Sequence, residues 1–396
     1  MLRRASAPLL RSTLRRFPAA TIVGPRQCGK TTLAREIGGE YFDLEQESDR
    51  VRLDLEWPRL TAGRTRVILD EAQTHPAVFP RLRAAIDADR SRNGRFILLG
   101  SVSPALMRSV SESLAGRMAV LELTPFLWTE LKARPMRSRL WLMGGFPDGG
   151  VRRPASFPQW ASSYLRLMTE RDLPALGIPC TPQVTQKLLR MLAALDGQQW
   201  NASEIGRSLG LNYQTATRYV DFIEGAFLLR RLPAFHANLS KRLVKAPKIH
   251  WRDTGLLHAT LGIDSDDALH HHPAVGASWE SFVIEQALGL LSALGIQHTA
   301  HHFRTSDGYE IDLVIESGRE RWAVEIKLTT NPSPHDLARL EKSAAMIAAT
   351  RAILVSRVES DAGDRKRLSC GLDRFLREIA ALAKPRAAAR AGASER

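Results

Sequence analysis

Residues 24–32 read GPRQCGKTT, and no other stretch limits the possible folds of this chain so strongly. An apolar run at residues 19–23 precedes it. A helix-forming run from Thr32 follows it and stops at Gly38-Gly39. Strand, glycine-rich turn and helix in that order make a cradle for phosphate groups. Gly24 and Gly29 let the backbone bend, so that the main chain through Pro25, Arg26, Gln27 and Cys28 can wrap an anion at the helix amino end. Lys30 would reach the β- and γ-phosphates, the Thr31 hydroxyl would ligate Mg²⁺, and Thr32 would carry the loop into the helix. ATP with Mg²⁺ is the expected ligand.

A second half-site is expected in RVILDEAQ at residues 66–73, where an apolar strand ends in two carboxylates. Asp70 would stand in the magnesium shell, and Glu71 would orient or deprotonate the attacking water. A third apolar run, FILLG at 96–100, ends at Ser101, positioned to monitor the γ-phosphate or that water. Arg117, in SESLAGRM at 111–118, could stabilise transition-state charge in cis or, in a homo-oligomer, from a neighbouring subunit. Apolar strands alternating with helices predict an α/β domain with a parallel sheet covered on both faces.

The chain has 396 residues, enough for two or three domains, and 44% of them are hydrophobic. No run of 18 apolar residues occurs, so no spanning helix and no membrane partner are expected. The cysteines at 28, 180 and 370 lack paired or metal-ligand spacing, which predicts a reducing, cytoplasmic setting. A net charge of +14 suggests nucleic acid, but its distribution weakens the signal. Residues 1–16 carry five arginines and no acid, and the low-complexity tail 384–396 is also basic. The amino end reads either as an organelle transit peptide or as a short helix docking Leu2, Leu9, Leu10 and Leu14 beside the first strand.

Residues 201–232 carry a helix-turn-helix pattern followed by a wing. Ala202, Ile205 and Leu209 form one buried stripe, Gly210 the turn, Asn212 a cap, and Val220 and Ile223 a second stripe. Asn212, Tyr213, Gln214, Thr215 and Arg218 would face a DNA partner, helped by Arg230, Arg231, Lys241, Arg242, Lys245 and Lys248 downstream. The same pattern also fits a lid that packs against protein.

Further on, YEIDLVIE, ESGRERW and AVEIK read as a hairpin with Asp312 on one strand and Glu325 and Lys327 on one face of the next. Two carboxylates and a lysine could hold Mg²⁺ through Asp312 and Glu325, activate water and offset phosphodiester charge. A long helix from Ala277 to about Leu294 would add Glu280. The alternative is surface charge on an ordinary hairpin. His270-His271-His272 and His301-His302 lack ligand spacing and read as solvated histidines.

GPRQCGKTTL, VILDEAQ, FILLGS and SESLAGR, with GGFP at 144–147, KAPKIHWRDTGLL at 245–257 and EIDLVIE at 310–316, resemble the bacterial AAA-type P-loop ATPases that carry a carboxyl-terminal domain of unassigned function, relatives of the archaeal ATPase family. Asp, a spacer of 13 positions and Glu-x-Lys resemble the restriction-endonuclease-like core. The resemblance implies an AAA-type ATPase domain at 1–130, a helical connector at 131–184, a winged helix-turn-helix at 185–250, a restriction-endonuclease-like α/β domain at 251–383 and a flexible tail at 384–396. Two functions follow. One is an ATPase that couples nucleotide state to domains acting on DNA. The other is a nucleotide-dependent regulatory switch whose later domains bind DNA or a protein partner without cleaving.

Overall fold

Five short strands pair in parallel within the amino-terminal third: β1 (Ala19–Val23), β2 (Glu40–Asp43), β3 (Val67–Asp70), β4 (Phe96–Gly100) and β5 (Met118–Glu122). The structure, a computed structural model, describes residues 2–101, 114–236 and 244–383. Val102, residues 111–113 of the arginine-bearing segment, Lys241, Arg242 and the tail 384–396 lie outside them.

Every residue of β1, β3 and β4 is buried, because the helices Ala7–Arg16, Lys30–Ile37, Glu47–Ala62 and Val78–Ala88 cover the sheet. The strand order is β2-β3-β4-β1-β5. It sets β4 between β1 and β3, so the phosphate-type loop, Ser101 and Asp70-Glu71 emerge side by side at the carboxyl ends of adjacent parallel strands. That edge is where open α/β sheets bind ligands. The edge strands β2 and β5 escape the sequence reading because EYFD and MAVLE are only partly buried. The first helix docks as one of the two readings expects, with Leu10 and Leu14 packed in one core with Ala20 and Ile22.

Helices Arg134–Met143 and Gln159–Leu167 lie in the expected connector, and Pro182–Ala194 crosses its expected end at 184. Next come Ala202–Leu209 and Tyr213–Gly225, joined at Gly210, whose φ of 68° favours glycine. The Asn201 and Asn212 side chains accept N–H groups of the two helix starts, each worth about 1 kcal/mol. Strands β6 (Leu229–Leu232) and β7 (Lys248–Trp251) then pair antiparallel.

The long helix Val275–Ala293 leads into a sheet of order β12-β13-β11-β10-β9-β8. Its strands are β8 (Thr299–Arg304), β9 (Glu310–Ser317), β10 (Glu320–Ile326), β11 (Arg351–Val355), β12 (Ala362–Gly363) and β13 (Arg367–Cys370). The expected hairpin is β9–β10, and β11 and β13 continue parallel to it. Sequence reading expected two strands here. It missed RAILV at β11 because five residues are too few to separate strand from buried helix by period.

The expected division at 250 falls inside β7, and one hydrophobic core runs from Phe126 to Ile379 across it. The tie is specific. The Asp253 carboxylate accepts the Gly145 N–H at 2.7 Å and the Leu256 N–H at 3.1 Å, capping the helix Thr254–Leu261. A side chain on Gly144 would collide with Asp253, and one on Gly255 with the Met143 carbonyl. GGFP and DTGL are therefore two halves of one clamp, which gives DTGL a physical role that sequence alone did not supply.

Asp196 is a second buried carboxyl. It accepts the Trp251 N–H and the Ser281 hydroxyl, each at 2.8 Å. Burial pushes it from 3.8 up to about 7, and its two hydrogen bonds only partly offset this. The native state thus keeps a proton that the unfolded chain sheds, so this contribution is full below about pH 4 and is lost as pH rises toward 7. Between pH 5 and 7, wild type is expected to lose about 2–3 kcal/mol more stability than Asp196→Asn, at roughly 1.4 kcal/mol per pH unit. Urea unfolding of both proteins at the two pH values measures this; parallel slopes would assign the proton elsewhere.

Candidate functional site

Gly24 takes φ 154° and Gly29 φ 101°, and a Cβ on Gly24 would collide with the Leu123 carbonyl at the end of β5. The loop is therefore glycine-dependent at both hinges. Gln27 (φ 60°) and Glu71 (φ 47°) also adopt left-handed backbone, a strain that concentrates at ligand sites.

Lys30 Nζ donates to the carbonyls of Gly24 at 3.0 Å and Pro25 at 2.9 Å, and to Ser101 Oγ at 3.2 Å. Ser101 in turn donates to Glu71 Oε1 at 2.6 Å. Thr31 Oγ1 donates to Asp70 Oδ2 at 2.6 Å, and Tyr41 on β2 donates to the same oxygen at 2.8 Å. Five of the expected residues, Lys30, Thr31, Asp70, Glu71 and Ser101, thus converge. Thr31 and Asp70 offer a hydroxyl and a carboxylate, an oxygen donor set suited to Mg²⁺. Tyr41 was missed, since its relation to Asp70 depends on the pairing of β2 with β3.

Other loop side chains face the protein. Arg26 pairs with Asp172 at 2.9 Å and Glu45 at 3.1 Å. The Cys28 thiol is buried against the Leu123 carbonyl at 3.3 Å, and burial pushes its pKa up. Arg4 donates to the Cys28 carbonyl at 2.8 Å from behind the loop and pairs with Glu130 at 3.1 Å. A cavity of about 410 Å³ adjoins it, lined by Gly29, Thr32 and Leu33 together with Leu2, Phe126, Met136 and Arg152, among others. Its volume suits a nucleoside.

Arg117 does not join this site in its own chain. It precedes β5, whose Met118 pairs with Ala19 at the start of β1, so it stands at the opposite end of the sheet from the loop and pairs with Asp87 at 2.8 Å. The cis role is corrected on that ground. Only a neighbouring subunit's site remains open to it.

Three residues of the expected basic stretch are engaged within the protein. Arg230 pairs with Glu285, Arg231 with Glu224 and Asp221, and Lys248 is buried; Lys245 is exposed. Asn212, Tyr213, Gln214 and Arg218 are exposed on the helix pair. Arg252 bridges Glu285 of the long helix at 3.3 Å and Glu122, the last residue of β5 beside the loop.

At the carboxyl-terminal sheet, Asp312 Oδ2 accepts the Ile326 N–H at 2.8 Å, and Lys327 pairs with Glu325 at 2.8 Å. Lys248 of β7 lies between Glu280 (2.9 Å), Glu310 (3.0 Å) and Asp312 (3.6 Å). Burial pulls its pKa down, but Glu280, Asp312 and Glu310 outweigh that and hold it above the ordinary lysine value. Burial and the Asp312 charge push Glu325 up to about 7. Among the described residues, no group of three or more His, Cys, Asp or Glu is arranged to hold a metal ion. His270 and His271 are exposed, and His302 is buried with Nε2 on the Ala246 carbonyl at 2.9 Å.

Three family models cover the chain in succession. An AAA domain matches residues 16–132, a domain of unknown function (DUF8612) matches 135–267, and another (DUF4143) matches 275–370. The amino-terminal match, together with the loop geometry, defines the class: an AAA-type P-loop, nucleotide-binding ATPase. Uncharacterized protein Rv2008c of Mycobacterium tuberculosis is 39% identical over 336 residues, 84% of this chain and 75% of that protein, and Uncharacterized protein Mb2031c of Mycobacterium bovis aligns to the same extent. The chain belongs to the family of AAA-domain proteins that contains these two. The Walker-type ATPase PABY2304 of Pyrococcus abyssi overlaps 65% of this chain and 94% of its own, with 14% identity and a TM-score of 0.44, too partial an overlap to inform the site. No described helix is long and apolar enough to cross a membrane.

Proposed function

We propose that the chain is a Mg²⁺-dependent ATPase whose nucleotide state is passed to a winged-helix segment and a restriction-endonuclease-like domain. The observation that carries the first part is the chain Lys30–Ser101–Glu71 set against Thr31–Asp70. On nucleotide binding, Lys30 exchanges the Gly24 and Pro25 carbonyls for phosphate oxygens, and the loop N–H groups hold the remainder. Thr31 and Asp70 would hold Mg²⁺, which when bound would supply charge neutralisation at the phosphates. Glu71 takes the proton of the attacking water, and Ser101 fixes that carboxylate and reports on the γ-phosphate. The base and ribose sit in the cavity behind Thr32 and Leu33.

The helix pair followed by β6–β7 supports the winged-helix reading. The long helix, the β9–β10 hairpin and the parallel β11 support the restriction-endonuclease-like one. Arg252 offers a route between them: a change at the loop that moves Glu122 is felt at Glu285 and, through Arg230, at β6. Internal pairing of Arg230, Arg231 and Lys248 favours the regulatory switch over a DNA-driven machine. Phosphate-release assays with duplex DNA at rising salt separate the two. The switch predicts turnover changed less than twofold by DNA; stimulation that disappears steeply with salt restores the DNA-acting reading.

A further inference from the structure

The carboxylate cluster at the third sheet is built as if for a cation, and a side chain already supplies one. Lys248 opens β7, and its side chain is only 4% exposed. Its ammonium stands 2.9 Å from Glu280 and 3.0 Å from Glu310, carboxylates carried by the long helix and by β9, and 3.6 Å from Asp312. A divalent ion bound by these oxygens would need them at about 2.0–2.6 Å around its own centre. The volume they enclose holds the lysine head instead. Lys327, the lysine of the Glu-x-Lys pattern, turns to Glu325, and Arg304 flanks Glu310 at 3.7 Å. Four carboxylates thus meet three fixed cations, so the cluster is within one charge of neutrality without a metal. A buried charge must be paired, and a lone lysine here would be strongly unfavourable. The pairing is also an inter-element tie, since β7 belongs to the hairpin that follows the helix pair. The residues present do not fit a divalent ion while Lys248 remains in place.

We propose that the Lys248 ammonium is the resident cation of the Glu280–Glu310–Asp312 cluster, latching β7 to the carboxyl-terminal sheet and excluding divalent metal from it. This rests on the restriction-endonuclease-like reading of that sheet only in naming the metal that is excluded. Withdrawal of Lys248 opens the cluster to a hard divalent cation.

Mn²⁺ titrations followed by electron paramagnetic resonance test this on the full chain without nucleotide. Wild type and Asp312→Asn are expected to bind the same number of ions. Lys248→Met should bind one more than wild type, and Lys248→Met/Asp312→Asn should lose it again. Lys248→Arg, which keeps the charge, should match wild type. Loss of a bound ion on Asp312→Asn in the wild-type background would overturn the latch while leaving a metal-dependent nuclease-like centre standing. A folded Lys248→Met that takes up no additional ion would overturn the latch and that centre together. If Lys248→Met does not fold, the comparison of wild type with Asp312→Asn still decides the exclusion.

Discussion

A Glu71→Gln variant is expected to bind ATP as wild type does and to turn it over about 10²–10⁴-fold more slowly. The amide oxygen can still accept the Ser101 hydroxyl now 2.6 Å from Glu71, but its NH2 replaces the oxygen that accepts from Gln73 Nε2, so the Gln73 amide must turn to offer its own carbonyl. What the substituted amide cannot do is take a proton from water. Glu71 holds a left-handed backbone at φ 47° immediately after β3, which turns its side chain toward Ser101 and away from the Asp70 oxygen that receives Thr31. The two carboxylates thereby face different partners, Asp70 the hydroxyl of the loop and Glu71 the hydroxyl of Ser101. Steady-state phosphate release combined with a nucleotide titration checks this. Turnover within a few-fold of wild type would take Glu71 out of the chemistry.

Arg4→Ala is expected to have the largest effect on stability, about 3–5 kcal/mol, because removing one partner of a buried ion pair leaves the other charge uncompensated. The Arg4 and Glu130 side chains are only 7% and 2% exposed. Arg4 also donates to the Cys28 carbonyl at 2.8 Å and lies over the Phe126 ring at 5.0 Å. It therefore ties the amino-terminal segment, the phosphate loop and the segment after β5 at one point. Loss of stability should be accompanied by weaker ATP binding, since the loop would lose its support from behind. Arg4→Lys, which keeps the charge but not the planar fork, should fall between. Chemical unfolding reads the first effect. A fully stable Arg4→Ala protein would show that Glu130 is satisfied without it by the Ala5 and Leu127 N–H groups, which it accepts at 2.6 and 2.9 Å.

Local patterns were legible in the sequence and long-range ones were not. The turn at 24–32, the strand ending in Asp70-Glu71, the cap at Asn212 and the hairpin bearing Asp312 and Glu325 are all written within a few neighbouring residues. Arg4 looked like part of a basic end because its partner Glu130 lies 126 positions away. Arg230, Arg231 and Lys248 looked like a DNA-facing stretch because no composition argument reveals that Glu285, Glu224 and Glu280 meet them. The DTGL element had no account until Gly144 and Gly145 were seen against Asp253. Arg117 was a candidate for the phosphate site in cis or from a neighbouring subunit through its place in SESLAGRM, whereas the parallel register of β5 with β1 sets it at the other end of the sheet. In each case the missing information was the tertiary neighbour of a charge or a glycine.

The central claim is that residues 24–32 bind ATP through the phosphates and that Lys30 carries much of that binding. It is tested most directly by titrating wild type and Lys30→Ala with a fluorescent ATP analogue in the presence of Mg²⁺, with unlabelled ATP as competitor. Wild type should show saturable, ATP-competed binding, and Lys30→Ala should bind at least about tenfold more weakly, a difference of roughly 1.4 kcal/mol or more. Equal affinity in the two proteins, or binding by wild type that ATP does not displace, would contradict the account.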